Sequence, residues 1–107
     1  MDSYMNQDRP IACDPTAIDA EVRSAHLSAA EQLLRHDAAE MRELPDGYAF
    51  RYAADQYAQV AQFIANERLC CPFFTFTLEV TPAQGPLWLR ITGRAGVKEF
   101  MKQELGL

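Results

Sequence analysis

Cysteine is scarce in this chain, with three in 107 residues. An odd count that includes an adjacent pair makes a poor disulfide framework, which favours a reducing compartment over secretion. Basic residues are also few: ten, none beside another, against fifteen acidic ones, for a formal net charge of −5. That balance argues against nucleic acid and against an anionic membrane surface as partners. Long apolar runs are missing. No stretch approaches the ~18 residues of a membrane span, and Met1–Arg9 has no apolar signal core, so a cytoplasmic protein without membrane contact is expected. P-loop, nucleophile-elbow and dinucleotide fingerprints are absent, as are C-x-x-C, H-x-x-x-H and any catalytic serine arrangement. The residues name no reaction and no catalytic group, and they offer no organic-cofactor site.

What is present is apolar material for one core, 49% of the residues, enough for a single domain over 10–107 behind a disordered N-terminus over 1–9. Prolines at 10 and 15 predict an extended arm between them, a candidate edge strand, with Cys13 in its middle. Thr16 with Asp19 three residues on resembles a capping box and predicts a helix from about 17 to 36, with Ile18, Val22, Ala25/His26, Ala29 and Leu33 inward. Pro45-Asp46-Gly47, with a glycine free to take positive φ, predicts a hairpin between 39–44 and 48–53. Asp55 is the expected cap of a second helix over 56–70, stopped by Pro72. Alternation predicts strands at Phe73–Val80 and Leu87–Ile91, joined by Pro82–Pro86, and Val97, Phe100, Met101 and Leu105 mark a last helix.

The order helix, hairpin, helix, hairpin, helix predicts an α+β two-layer sandwich with helices on one face of a four-stranded antiparallel sheet. Pairing of residues 10–14 as a strand would make a ferredoxin-like variant the alternative. A weak duplication shows in Thr16 and Asp55, Phe50 and Leu89, and Arg51 and Arg90, each pair 39 residues apart. Phe73 and Trp88 fall on the sheet's other face, open to a partner or a second copy in a homodimer.

Chemistry concentrates in Glu67-Arg68-Leu69-Cys70-Cys71-Pro72-Phe73. Val60, Phe63 and Ile64 set an inward stripe that, continued, carries Glu67, Cys70 and Cys71, so a carboxylate on a packed face can reach both sulfurs or a ligand they hold. Adjacent cysteines close a relaxed disulfide with each other only against a strained peptide, so a dithiol is the expected resting form. Soft thiolates select zinc, copper(I), arsenite or mercury. Cys13, His26, Glu67, Cys70 and Cys71 form the candidate ligand set for zinc or another thiophilic metal or metalloid ion. A thiol redox enzyme, in which Cys70 or Cys71 attacks and Cys13 resolves, is the second reading. The third is a structural module with buried cysteines, in which Glu67 pairs with Arg51 or Arg90 and His26 is merely hydrogen-bonded. The helix end, negative in its dipole, disfavours a thiolate at the pair.

These residues, with Ile11-Ala12-Cys13, Leu44–Arg51 and Leu87–Gly93, resemble a family of small uncharacterised bacterial proteins bearing an E-R-x-C-C-P-F motif. The resemblance spans about residues 10 to 105, and the motif is intact here. It implies a bacterial intracellular protein with a cysteine at position 13 and a histidine at position 26 beside the motif, and it supplies no activity. The family tends to read G-P-E-G where this chain has Gly93-Arg94-Ala95-Gly96.

Overall fold

The computed structural model describes residues 10–107, and the N-terminal segment expected to be disordered lies outside the described residues. A 3-10 turn at Pro15–Ala17 precedes α1 (Ala20–Glu31), which continues as a π-helical segment, Gln32–Asp37. Then come β1 (Glu40–Leu44), β2 (Gly47–Tyr52), a 3-10 turn at Ala54–Gln56, α2 (Tyr57–Cys70), β3 (Thr75–Val80), β4 (Leu87–Thr92) and α3 (Val97–Leu105). The fold is α+β, with three helices and a four-stranded antiparallel sheet in the order β1-β2-β4-β3.

The core grows from the two central strands. Tyr48, Phe50 and Tyr52 stand opposite Ile91, Leu89 and Leu87. Leu33 from the end of the first helix, Val60 and Phe63 from α2, and Val97 and Met101 from α3 complete one cluster with them. Burying side chains of this size contributes about 1.5–3 kcal/mol each. Tyr52 is fully buried, and its hydroxyl donates to the Leu33 carbonyl (2.9 Å), so the apolar ring enters the core without an orphaned polar tip.

Several local expectations are corrected. Residues 10–14 join no strand, which removes the edge strand and the ferredoxin-like alternative. Thr16 closes no capping box on the first helix; its amide donates to Asp14 Oδ1 (3.0 Å), so the chain makes a separate turn and the helix starts at Ala20. The inward stripe shifts accordingly. His26 and Leu33 are buried, whereas Val22, Ala25 and Ala29 are exposed, because Ile18 reaches the interior from before the helix. Asp55 is not the cap of α2: it lies inside the 3-10 turn, where Gln56 Oε1 accepts from the Ala53 amide (3.3 Å). Phe73 does not face outward. Its ring packs edge-on against Phe74 and Phe100, 4.7 and 5.3 Å between centroids.

Trp88 does lie on the outer face, and there the Arg42 guanidinium covers its ring at 4.6 Å. The same face carries three ion pairs, Arg42 with Glu40 (2.6 Å), Arg51 with Glu40 (3.1 Å) and Arg90 with Glu79 (3.6 Å). Both arginines proposed as partners for Glu67 are thus engaged elsewhere.

Gly47 takes an ordinary backbone conformation, so its glycine is not needed for positive φ. It is needed for space, because a Cβ there would collide with the Ile91 carbonyl of β4. Gly47→Ala is expected to cost about 1–3 kcal/mol, as overpacking against backbone does. A denaturant midpoint equal to the parent's would show that the β2–β4 approach is looser than described.

Candidate functional site

The site is built at the C-terminal end of α2. Helix ends leave their last carbonyls without intrahelical partners. Here the Asp14 amide of the N-terminal arm donates to the Cys70 carbonyl (2.7 Å), so the arm is docked on the helix end by its backbone. Arg23 secures it from the other side, Nε donating to the Pro15 carbonyl (2.9 Å) and Nη2 to that of Ile18 (3.2 Å). Ile18, almost fully buried, packs with Cys70 and Cys71, and Phe73 and Phe74 close the group. Sequence reasoning missed Arg23, since a helix-face arginine carries no mark of which carbonyls it will meet.

With the arm so placed, Cys13 meets Cys71, and the two are joined in a disulfide spanning 58 residues of sequence. The expected dithiol resting form is corrected to this extent. The adjacent pair is not bonded to itself, but one member has found the third cysteine, which the arm carries to it. Cys71 is buried and Cys13 exposed, so the bond links interior to surface. Cys70 is the free cysteine. Its Sγ lies 3.3 Å from Cys71 Sγ and 3.3 Å from Glu67 Oε1, to which it donates.

Glu67 Oε1 is shared. His26 Nε2 donates to the same oxygen at 2.9 Å, which makes an imidazole–carboxylate–thiol chain. The bland arginine pairing for Glu67 does not form, and histidine is its partner. The His26 ring is buried and stacked on Phe63 with centroids 5.8 Å apart, and its Nδ1 has no hydrogen-bond partner among the described residues. All five predicted residues therefore meet. They fall into two groups whose ligand atoms lie within 4.8 Å of one another, Cys13 with Cys70 and Cys71, and His26 with Glu67 and Cys70; Cys70 belongs to both. Such a Cys/Glu/His group is able to hold a metal ion. Arg68 points to solvent, as its spacing predicts.

The sulfurs and Glu67 open onto a cleft of about 430 Å³ between the first helix and α3, with His26 set behind Glu67. Within it the Cys70 thiol is held in its protonated form. Burial pushes it up to about 12, and the Glu67 carboxylate adds to the rise through its charge and its hydrogen bond.

A folded-state value above the free-cysteine value of about 8.5 stabilises the native state below that pH, and the contribution is lost as pH climbs from about 9 to about 12. Native protein with the disulfide intact is expected to resist iodoacetamide at pH 7. Glu67→Gln should speed labelling of Cys70 at pH 9 without reaching the rate of an exposed cysteine, because burial remains. Parent labelling at the rate of a free thiol at pH 8 would contradict this account of the site. No helix among the described residues is long and apolar enough to cross a membrane. Comparison with protein families, curated proteins and solved structures found no match.

Proposed function

We propose that the protein binds a thiophilic metal or metalloid ion through Cys13, Cys70 and Cys71 in the reduced state, with Glu67 and His26 behind them. The observation that carries this reading is the convergence of three sulfurs from two distant segments, backed by a carboxylate–imidazole pair that joins Glu67 of α2 to the buried His26 of the first helix. Two Zn–S bonds of ~2.3 Å at a tetrahedral angle place their sulfurs about 3.8 Å apart. Cys70 Sγ and Cys71 Sγ, at 3.3 Å, need to open only slightly. Reduction of the Cys13–Cys71 bond frees two thiols, Cys71 and Cys13, beside Cys70. Cys70 must lose its proton to become a ligand, and Glu67 Oε1, which accepts its S–H, is placed to take it; formation of the ion–thiolate bond drives a loss that burial and the Glu67 charge both resist. The disulfide is the oxidised, ion-free form. In a reducing cytoplasm, the compartment that goes with this reading, such a bond is transient. The accompanying scaffold is a two-layer sandwich, a reading supported by the one cluster that all three helices share with a single sheet face.

A second reading has its own support in the Cys13–Cys71 bond. In a thiol oxidoreductase, the Cys71 thiolate attacks a substrate disulfide and releases one substrate thiolate. Cys13 then attacks the mixed disulfide, expels the second thiolate and leaves the bond described here.

One protocol separates the two. Protein reduced with a phosphine and offered zinc, copper(I) and arsenite in turn is expected to show one bound ion per chain by native mass spectrometry, lost in Cys13→Ser and in Cys70→Ser. Absence of every ion, with all three thiols still titratable, sinks the first reading. Trapping of a mixed disulfide on Cys71 in Cys13→Ser, after incubation with a small aromatic disulfide, would then favour the second.

A further inference from the structure

The sulfur cluster sits in an apolar cleft, and a bare ion has no use for such surroundings. At about 430 Å³ the cleft falls within the range of about 300–1,000 Å³ typical of small-molecule sites. Leu27, Ala30 and Leu34 line it from the first helix, and Phe74, Phe100 and Leu105 from the chain before β3 and from α3. Apart from Glu67 at the sulfur end, its charged lining residues are the exposed Glu31, Arg35 and Glu104. Arg35 Nη2 donates to the Glu104 carbonyl (2.9 Å) and ties the first helix to α3 where both border the cleft.

All three sulfurs line the same space as these apolar side chains. A ligand filling both parts carries a soft, thiol-seeking atom bonded to an apolar group. Hydrated zinc has no such group, and a fully thiolate-bound ion leaves the cleft empty. We propose that the cleft takes organic derivatives of a thiophilic element, in particular trivalent arsenic bearing an aryl substituent, with the arsenic on two of the three thiols and the ring against Phe74, Phe100 and Leu34. This inference rests on the reading of the sulfur cluster as a thiophilic-ion site.

The chemistry balances without an external oxidant. A phosphine first reduces the Cys13–Cys71 bond, taking up the oxygen of one water to become the phosphine oxide and leaving two thiols. Phenylarsonous acid, C6H5As(OH)2, then reacts with two thiols. Two As–S bonds form and two As–O bonds break; each departing hydroxide takes up a thiol proton, and two waters leave. The arsenic stays trivalent and the As–C bond stays intact. Glu67 Oε1, which already accepts the Cys70 S–H, is placed to relay that proton.

The test measures dissociation constants of phenylarsonous acid, methylarsonous acid and arsenite for phosphine-reduced protein by native mass spectrometry. The phenyl compound is expected to bind at least about tenfold more tightly than the methyl one, the preference that burying a ring's additional apolar surface brings. Ala30→Trp, which fills the cleft, should abolish that preference while arsenite still binds, and retained arsenite binding reports an intact site. Equal affinity for phenyl and methyl compounds in the parent protein would overturn the cleft assignment and leave the sulfur site standing. Failure of all three to bind would overturn both. The parent ratio decides the matter even if Ala30→Trp does not fold.

Discussion

The docking of residues 10–18 on the C-terminal end of α2 is the constraint on which the site depends. One backbone hydrogen bond, Asp14 amide to Cys70 carbonyl, satisfies a carbonyl that a helix end would otherwise leave to water, and it fixes the arm beside the paired cysteines. Ile11 of the same arm packs onto the core cluster close to Gly96 at the start of α3, and Ile18 enters the second cluster beneath the sulfurs. The arm is thus held by apolar anchors on both sides of Cys13. An exposed cysteine with no regular structure around it is delivered to one buried partner. Loop closure over 58 residues is costly for a free chain, and packing of the arm offsets that cost before any sulfur bond forms.

Glu67 is the second hub, and its position explains why a carboxylate is tolerated on a packed helix face. One oxygen accepts from both the imidazole and the thiol, so the desolvation of the group is met by two donors. The arrangement stabilises Cys70 as a thiol and disfavours it as a nucleophile. Cys71, next along the chain, has left the helix and bonded elsewhere. Two adjacent cysteines thereby stand in unlike states: one is a protonated thiol, the other half of a disulfide. A site needing several soft donors at once makes use of both, whereas a single-cysteine nucleophile would not.

Much of this was legible from periodicity. The stripe Val60, Phe63, Ile64, Glu67, Cys70 is inward as read, and the alternation of Leu87, Leu89 and Ile91 against Trp88 and Arg90 holds throughout β4. What escaped were features set by partners that periodicity does not name, whether near in sequence or far. The Thr16 signal was genuine local hydrogen-bonding capacity, but the chain spends it on Asp14. Glycine rules misled in a related way. Gly47 answers to the Ile91 carbonyl of another strand, while in the β3–β4 turn the positive φ angles fall on Ala83 and Gln84 and not on Gly85. The Cys13–Cys71 bond was hidden because nothing within residues 10–15 specifies where an arm docks.

The 39-residue offset between the two hairpins bears on where the site lies. Phe50 and Leu89, 39 residues apart, face each other directly at the centre of the sheet, as equivalent residues must when two related hairpins pair antiparallel about a local twofold. Two of the outer ion pairs obey the same offset: Glu40 with Arg51, and Glu79 with Arg90. Glu31, where the regular α-helix gives way to its π-helical continuation, stands at the same offset from Cys70, where α2 ends. Beyond those points the halves diverge. Leu33 occupies the place of Pro72, and with no proline to stop it the first helix runs on through a π-helical segment that carries Leu33 into the core and Leu34 to the cleft. In the second half Pro72 ends the helix, Cys71 leaves it, and the arm closes over the exposed end. The chemistry is therefore confined to the point where a near-symmetric scaffold loses its symmetry, and the longer first helix supplies the wall that turns a helix end into a cleft.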